Sequence, residues 1–404
     1  MRFFGLCLAF MSGFSAPIAL ASQISGTLTG HLQIPNPAFL TILDQGPNGH
    51  PELLVSSFSM FGGTRVSRVD LTQIGDDPIS SDDVTVVNQS LIWPNEASVL
   101  PDSILGPDYV AISTGFLVPG RTTGGVSLVH LKSGESIDVT TPKKGWFYHR
   151  TQFADVNQDG LLDIITARGT KPIIGASQGE LLWLEQPREN KEKPWEEHII
   201  ASGPDVYFEM IDLDRDGSQE IIAAEFFSKK LSVHWRENDS TWKSRVVDDT
   251  IGAVFDLETA DLNRDGHLDL VVTNHEGKDE GAIYAYEIPR SFKTAAWSRK
   301  TLLSGITTEL HGINQASPGA PVIMTVSGGK PHILVAGDGS TKVHWLVPKS
   351  ESSDDWTYEE KILLDTNSTI GSMALSAPHA DGSRELFVPA YDKNEIFIFK
   401  MVEH

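Results

Sequence analysis

The chain has 404 residues, 40% hydrophobic and 21% charged, which is globular composition with ample length for a large core. Its formal net charge of -22 argues against nucleic acid or an anionic membrane as partner, since both need basic patches, and suits a protein that holds cations. The single cysteine, Cys7, lies in the first 21 residues, so the rest of the chain is expected to fold without a disulfide.

Residues 1–21 read as a secretory signal. Arg2 supplies the positive start, Phe3 to Phe14 is mainly apolar, and Ala19-Leu20-Ala21 is a small-x-small cleavage site. The protein is therefore expected to be secreted, with residues 22–404 as one domain, and no later window reaches membrane-spanning length. Three sequons make Asn88, Asn238 and Asn367 candidate glycosylation sites.

An acidic loop feeding an apolar run then recurs along the chain. The clean copies are Asp155 to Asp163 before Ile164-Ile165, Asp212 to Glu220 before Ile221-Ile222-Ala223-Ala224, and Asp261 to Asp269 before Leu270-Val271-Val272. Worn copies at Asp44 to Glu52, Asp102 to Asp108, Ser327 to His332 and Asp381 to Glu385 extend the series. The marker glycines are Gly49, Gly106, Gly160, Gly217, Gly266, Gly329 and Gly382, which makes seven units. The units at Gly106 and Gly329 are degenerate, so the count alone also admits six or eight.

Further strands follow each loop. Leu181 to Leu184, Leu231 to Trp235, Ile283 to Tyr286, Val343 to Leu346 and Ile396 to Phe399 alternate and are rich in aromatic and β-branched residues. Another strand often follows a tryptophan, as at Trp195, Trp242, Trp297 and Trp356. Each unit is then four strands, A to D, with the acidic loop between A and B. No sustained helical period competes with this reading. The expected fold is all-β, a seven-bladed β-propeller. The chain ends on a C strand, so the segment Ile24 to Leu32 is expected to complete the last blade and remove an open edge.

These repeats resemble FG-GAP/VCBS repeats, the blades of integrin-α-type propellers. The resemblance implies the propeller fold and says little about function, because the family spans adhesion proteins, lectin-like proteins and enzymes. Each clean loop offers side-chain oxygens at positions 1, 3, 5 and 9 and a glycine at 6, a donor set suited to hard Ca2+. The resemblance adds a backbone carbonyl at position 7. The implied ligands are Asp155, Asn157, Asp159 and Asp163; Asp212, Asp214, Asp216 and Glu220; and Asp261, Asn263, Asp265 and Asp269. An EF-hand is excluded because position 12 reads Thr166, Ala223 and Val272. The plainer alternative is a turn in which Asp and Asn cap the backbone.

In a propeller the A–B loops lie opposite the face formed by the B–C and D–A loops. The expected ligand site is that second face, at the channel mouth where the A strands start. The candidate binding or catalytic residues are His149, Arg150, Tyr207, Glu209, Asp256, Glu258 and His311. Counted from the first acid of each loop, positions -3 and -5 (Gln152 and Arg150, Glu209 and Tyr207, Glu258 and Asp256) should share one side of the strand, opposite Phe153, Met210 and Thr259. The B–C loops add Phe58, Phe61, Phe116, Phe226, Phe227, His275 and Tyr391. Aromatic rings beside carboxylates suit a carbohydrate or a related small molecule. Gly175-Ala176-Ser177-Gln178-Gly179 matches a nucleophile elbow, but a strand follows where that motif needs a helix, so it is read as chance.

Tyr148 to Ile165 together with Gly179 to Pro187 is also similar to the propeller of fungal aldos-2-ulose dehydratases, which implies a lyase or dehydratase acting on a sugar. Those enzymes carry further domains that have no counterpart in this sequence. Three readings stand: a carbohydrate-binding propeller, a lyase, dehydratase or cyclase using histidine and carboxylate chemistry at the same mouth, and a protein–protein interaction module.

Overall fold

The computed structural model describes residues 24–59, 63–72, 83–116, 123–172, 174–238, 241–275, 277, 280–310 and 316–404. The signal segment, Phe61 and His311 lie outside them. Seven four-stranded antiparallel sheets succeed one another along the chain. Blade 1 is Pro37–Leu43, Glu52–Ser57, Arg65–Asp70 and Val84–Asn88; blade 2 is Pro94–Val99, Tyr109–Thr114, Val126–His130 and Ser136–Asp138. Blade 3 is Phe147–Ala154, Asp163–Thr170, Gln178–Glu185 and Glu196–Ser202; blade 4 is Phe208–Ile211, Glu220–Glu225, Lys230–Asn238 and Thr241–Asp248. Blade 5 is Val254–Ala260, Asp269–Asn274, Gly281–Glu287 and Ser298–Ile306; blade 6 is Pro321–Val326, Gly329–Ala336, Lys342–Pro348 and Tyr358–Asp365. Blade 7 takes Ala374–Leu375, Arg384–Ala390 and Glu395–Glu403 from the end of the chain and Ile24–Gln33 from its beginning.

The B strands show why such sequences make a ring. In blade 4 every residue of Glu220–Glu225 is buried. Ile221 and Ala223 pack towards blade 3, whereas Ile222 and Ala224 pack towards blade 5. In blade 6, Ile333 and Val335 face blade 5, while Leu334 and Ala336 face blade 7. A strand with both faces buried needs a continuous apolar run, because each parity serves a different junction. Among the described residues seven hydrophobic clusters result, each centred on one pair of adjacent blades, including 7 with 1, with Phe147 of blade 3 joining the cluster between blades 4 and 5.

Closure follows the expected route. Ile24–Gln33 pairs antiparallel with the last strand, from Ile24 opposite Glu403 to Gln33 opposite Glu395, with an irregularity between Leu28 and Gly30. Leu32 and Ile34 are buried in the cluster between blades 7 and 1.

Two expectations change. The A strand of blade 6 starts at Pro321, ten residues beyond the candidate His311. Glu309 and Leu310 instead donate their backbone N–H groups to the Gly339 carbonyl at 2.8 and 3.0 Å, which commits them to the B–C loop of that blade. The A strands of blades 3 and 5 also break register, between Tyr148 and Thr151 and between Val254 and Leu257. Strict alternation therefore does not carry through Arg150 or Asp256. Among the described residues no helix is long and apolar enough to cross a membrane.

Candidate functional site

The three clean loops share one hydrogen-bond scheme. The first acid accepts the backbone N–H groups of positions 5 and 6: Asp155 from Asp159 and Gly160, Asp212 from Asp216 and Gly217, Asp261 from Asp265 and Gly266, all at 2.9–3.1 Å. The glycines have φ of +88°, +91° and +85°, where a side chain would be strained. Position 9 folds back onto the loop's second residue. Asp163, Glu220 and Asp269 accept the N–H groups of Val156, Leu213 and Leu262 at 2.9, 2.9 and 3.0 Å. Burial pushes these three carboxyls up to about 6, 7 and 7, and neighbouring loop acids push the same way.

The donor chemistry of these loops fits a hard cation. In blade 4, ligand oxygens of Asp212, Asp214 and Asp216 lie within 4.8 Å of one another, and the set is all oxygen. In blades 3 and 5 Asn157 and Asn263 stand at position 3, and each side-chain oxygen accepts an N–H, from Asp159 and Asp265. Protein cations already neutralise part of this charge: Lys293 lies 3.0 Å from Asp214 and Arg188 lies 3.0 Å from Asp159.

On the propeller axis, rings from four blades meet. His149 contacts Phe39 at 5.6 Å, Tyr207 at 4.4 Å and Phe255 at 6.5 Å between ring centroids. His149 is 3% exposed, and its Nδ1 has no hydrogen-bond partner among the described residues. Burial, with Arg150 alongside, pushes its pKa down to about 3, so the imidazole is neutral. This is a plug, and its histidine is a poor general base near neutral pH.

Beside the plug lies a cavity of about 510 Å3, lined by Glu96, Ser98, Arg150, Thr151, Gln152, Phe153, Glu209, Met210, Gln219, Leu257 and Glu258. Arg150 organises it. Its Nε donates to Glu96 at 2.9 Å, one terminal nitrogen donates to the Phe208 carbonyl at 3.3 Å, the other lies 3.8 Å from Asp256, and the guanidinium sits 4.4 Å over the Tyr207 ring. Burial opposes the Arg150 charge, but Glu96 and Asp256 hold it protonated. Glu209 accepts the Thr259 hydroxyl at 2.7 Å through one oxygen, while its other oxygen is buried without a partner. Burial raises the Glu209 carboxyl, lifts Asp256 to about 7 against the pull of Arg150, and lifts Glu258 to about 8 with Asp256 adding to it.

The structure thus brings together Arg150, Gln152, Glu209 and Glu258, with Asp256 buried behind Arg150 and Tyr207 and His149 in the plug. The cavity is not at the expected mouth. Gln219 belongs to the acidic loop of blade 4, and Phe153, Met210 and Gln219 also line a neighbouring groove beside Asp155 and Trp242. The cavity therefore lies on the acidic-loop side of the plug. Phe153 and Met210 join its lining although alternation puts them on the other side, because they stand at the strand ends.

The opposite face carries a continuous belt of rings, in which Trp93 and Phe147 join the expected Phe58, Phe116, Phe226, Phe227, His275 and Tyr391. Tyr391, Phe58, Trp93, Phe116, Phe147, Phe227, Phe226 and His275 contact one another in that order, at centroid distances of 4.4–6.3 Å. His275 closes it onto Asp338 of blade 6 at 2.6 Å. Asp205 holds the belt by accepting the N–H groups of Phe226 and Phe227 at 2.7 and 2.8 Å. These rings pack chiefly on each other.

Sequence reasoning missed Glu96, Ser98 and Gln219. In blade 2, Glu96 and Ser98 stand six and four residues before Asp102, one step out of phase with the other units, because a helical turn at Asp102–Leu105 occupies the loop. Of the sequons, Asn238 and Asn367 are exposed. Asn88 is 8% exposed and its amide donates to the Gly134 carbonyl at 2.8 Å.

Residues 212–272 match the FG-GAP-like repeat family. No curated protein matches the chain. Among solved structures, a functionally unknown protein from Desulfotomaculum acetoxidans is similar in fold, with a TM-score of 0.51 at 12% identity over 85% of this chain and 90% of that one. The chain is thus a seven-bladed β-propeller in which the match to the FG-GAP-like repeat lies inside blades 4 and 5, and blade 3 repeats the same loop geometry.

Proposed function

We propose that this propeller is a secreted, calcium-braced protein that binds a carbohydrate, or a related polyhydroxylated small molecule, in the axial cavity. The observation that carries the reading is the lining. Glu96, Arg150, Gln152, Glu209 and Glu258 present hydrogen-bonding groups around about 510 Å3, beside the apolar Phe153, Met210 and Leu257. That volume lies within the range of small-molecule sites and accommodates a sugar ring. Calcium would be held by the acidic loops of blades 3, 4 and 5, where it would neutralise the clustered carboxylates and fix the A–B turns that border the cavity. Isothermal titration of a mono- and oligosaccharide panel tests this. Binding to the wild type that weakens at least about tenfold in Gln152→Leu supports the site; binding unaffected by Gln152→Leu places the ligand elsewhere.

One observation favours a second reading, a lyase or dehydratase. Glu258 is a carboxyl kept protonated near neutral pH in the same cavity as Glu209. Elimination of water needs an acid to protonate the departing hydroxyl and a base to take a proton from carbon. Here Glu258 would be the acid and Glu209 the base. Turnover of keto-sugars that disappears in Glu258→Gln supports this reading, and binding without turnover leaves the binding protein.

A further inference from the structure

We infer that the outer strands of blade 3 carry a metal site, in which His198, Glu185 and Glu196 hold a divalent transition-metal ion of the Zn2+ class. Its ligands belong neither to the acidic loops nor to the axial cavity, and it does not depend on the function proposed above.

The sheet itself assembles the three side chains. Glu185 ends strand C, Glu196 begins strand D directly opposite it, and His198 follows two residues later on the same side of strand D. One donor atom from each lies within 4.8 Å of the other two, and His198 Nε2 is 2.9 Å from a Glu185 oxygen and 3.9 Å from a Glu196 oxygen. Tetrahedral coordination at ordinary zinc bond lengths puts neighbouring donors about 3.3 Å apart, between those two distances. Neighbours outside the set fix two of the ligands. The His198 ring lies flat on Trp183, with centroids 4.3 Å apart and planes at 17°, and the Asn157 amide donates to the other Glu185 oxygen at 3.1 Å. Contacts of this kind orient ligands in metal sites. The His198 and Glu185 side chains are about one-third exposed and that of Glu196 is mostly exposed, so an ion can enter from solvent.

The second, independent observation is how the next three blades treat the same register position. Arg245 of blade 4, Lys300 of blade 5 and Lys361 of blade 6 stand where His198 stands, each a permanent cation. In blade 5 the equivalent of Glu185 is Glu287, which Lys300 closes as an ion pair at 3.2 Å, and Ser298 stands where blade 3 has Glu196. Blade 3 departs from this in two ways at once. It sets two carboxylates directly across from each other, a like-charge pair that weakens a sheet. It also replaces the fixed cation by an imidazole, which can offer a nitrogen lone pair to a metal as Lys and Arg cannot. A metal ion supplies the missing positive charge and uses that lone pair. The nitrogen ligand selects zinc-like ions over Ca2+, which prefers an all-oxygen shell.

The test is isothermal titration of the untagged protein with Zn2+ while Ca2+ is held in large excess, so that the acidic loops do not compete for zinc. The wild type is expected to bind Zn2+ in spite of the Ca2+. His198→Ala should weaken that binding at least about tenfold, and Glu196→Gln, at a mostly exposed position, should weaken it as well. Circular dichroism checks the fold of both variants. Co2+ in place of Zn2+ should give a visible ligand-field absorption that His198→Ala loses. No Zn2+ binding in the presence of Ca2+ overturns the proposal. So does Zn2+ binding that both variants retain at full strength, because the ion then sits elsewhere.

Discussion

Arg150 of blade 3 donates from Nε to Glu96 of blade 2 at 2.9 Å, and this contact fixes the wall of the axial cavity. The same guanidinium faces Asp256 of blade 5 and covers Tyr207 of blade 4. One side chain therefore ties four blades together at the axis. Its charge is only tolerable because its donors are matched by acceptors.

Replacing Arg150 by Met should destabilise the protein by about 3–5 kcal/mol, because Glu96 and Asp256 would be left as uncompensated, largely buried carboxyls. Arg150→Lys should recover only part of that loss, since an ammonium cannot serve the same spread of partners. Equilibrium urea unfolding of the three proteins reads the difference.

The carboxyl of Glu258 stands at about 8, above the usual carboxylate range. The folded state thus holds a proton at Glu258 that the unfolded chain has lost, over the interval from about pH 4.5 to about 8. Its contribution to stability is complete below the unfolded value and is lost as pH rises through about 8. A single such group changes stability by at most about 1.4 kcal/mol per pH unit. Unfolding free energies measured from pH 5 to 9 should fall less steeply in Glu258→Gln than in the wild type. Identical slopes would contradict the burial of that group.

The closure strand should be indispensable. Leu32 is 1% exposed and packs between blades 7 and 1. Leu32→Ala is expected to lower stability by about 2–5 kcal/mol. Glu395→Gln, at the edge of the same pairing, should change it little. Thermal melts of both variants make the comparison.

Chelation should lower the melting temperature if calcium braces the acidic loops, and the loss should reverse on adding Ca2+ but not Na+. Asp212→Ala removes an acceptor for two N–H groups as well as a ligand, so it should melt lower than the chelated wild type. A melting temperature indifferent to chelator and to Ca2+ would leave these loops as plain turns.

Much of the fold was legible because of how the blades bury their strands. Runs such as Ile221 to Ala224 are apolar at every position, since each parity faces a different neighbour. The acidic loop marks the A–B turn directly. His311 was placed at the start of the sixth blade, but Pro321 begins its A strand, and Glu309 and Leu310 are tied to the B–C loop. The site was only half legible. Arg150, Glu209 and Glu258 were found because charged residues on an innermost strand are costly without a role. Their side of the plug was not found, since it depends on the register breaks after Tyr148 and Val254 and on rings from Phe39 and Phe255 that no local pattern announces. Glu96 escaped because its unit is out of phase.

The most direct measurement is a crystal structure of the protein with a bound sugar. The account predicts the ligand in the axial cavity, in contact with Glu209 and Glu258 and within reach of Gln152. A ligand stacked instead on the belt of Phe58, Trp93 and Phe116, with the axial cavity filled by water alone, would contradict it.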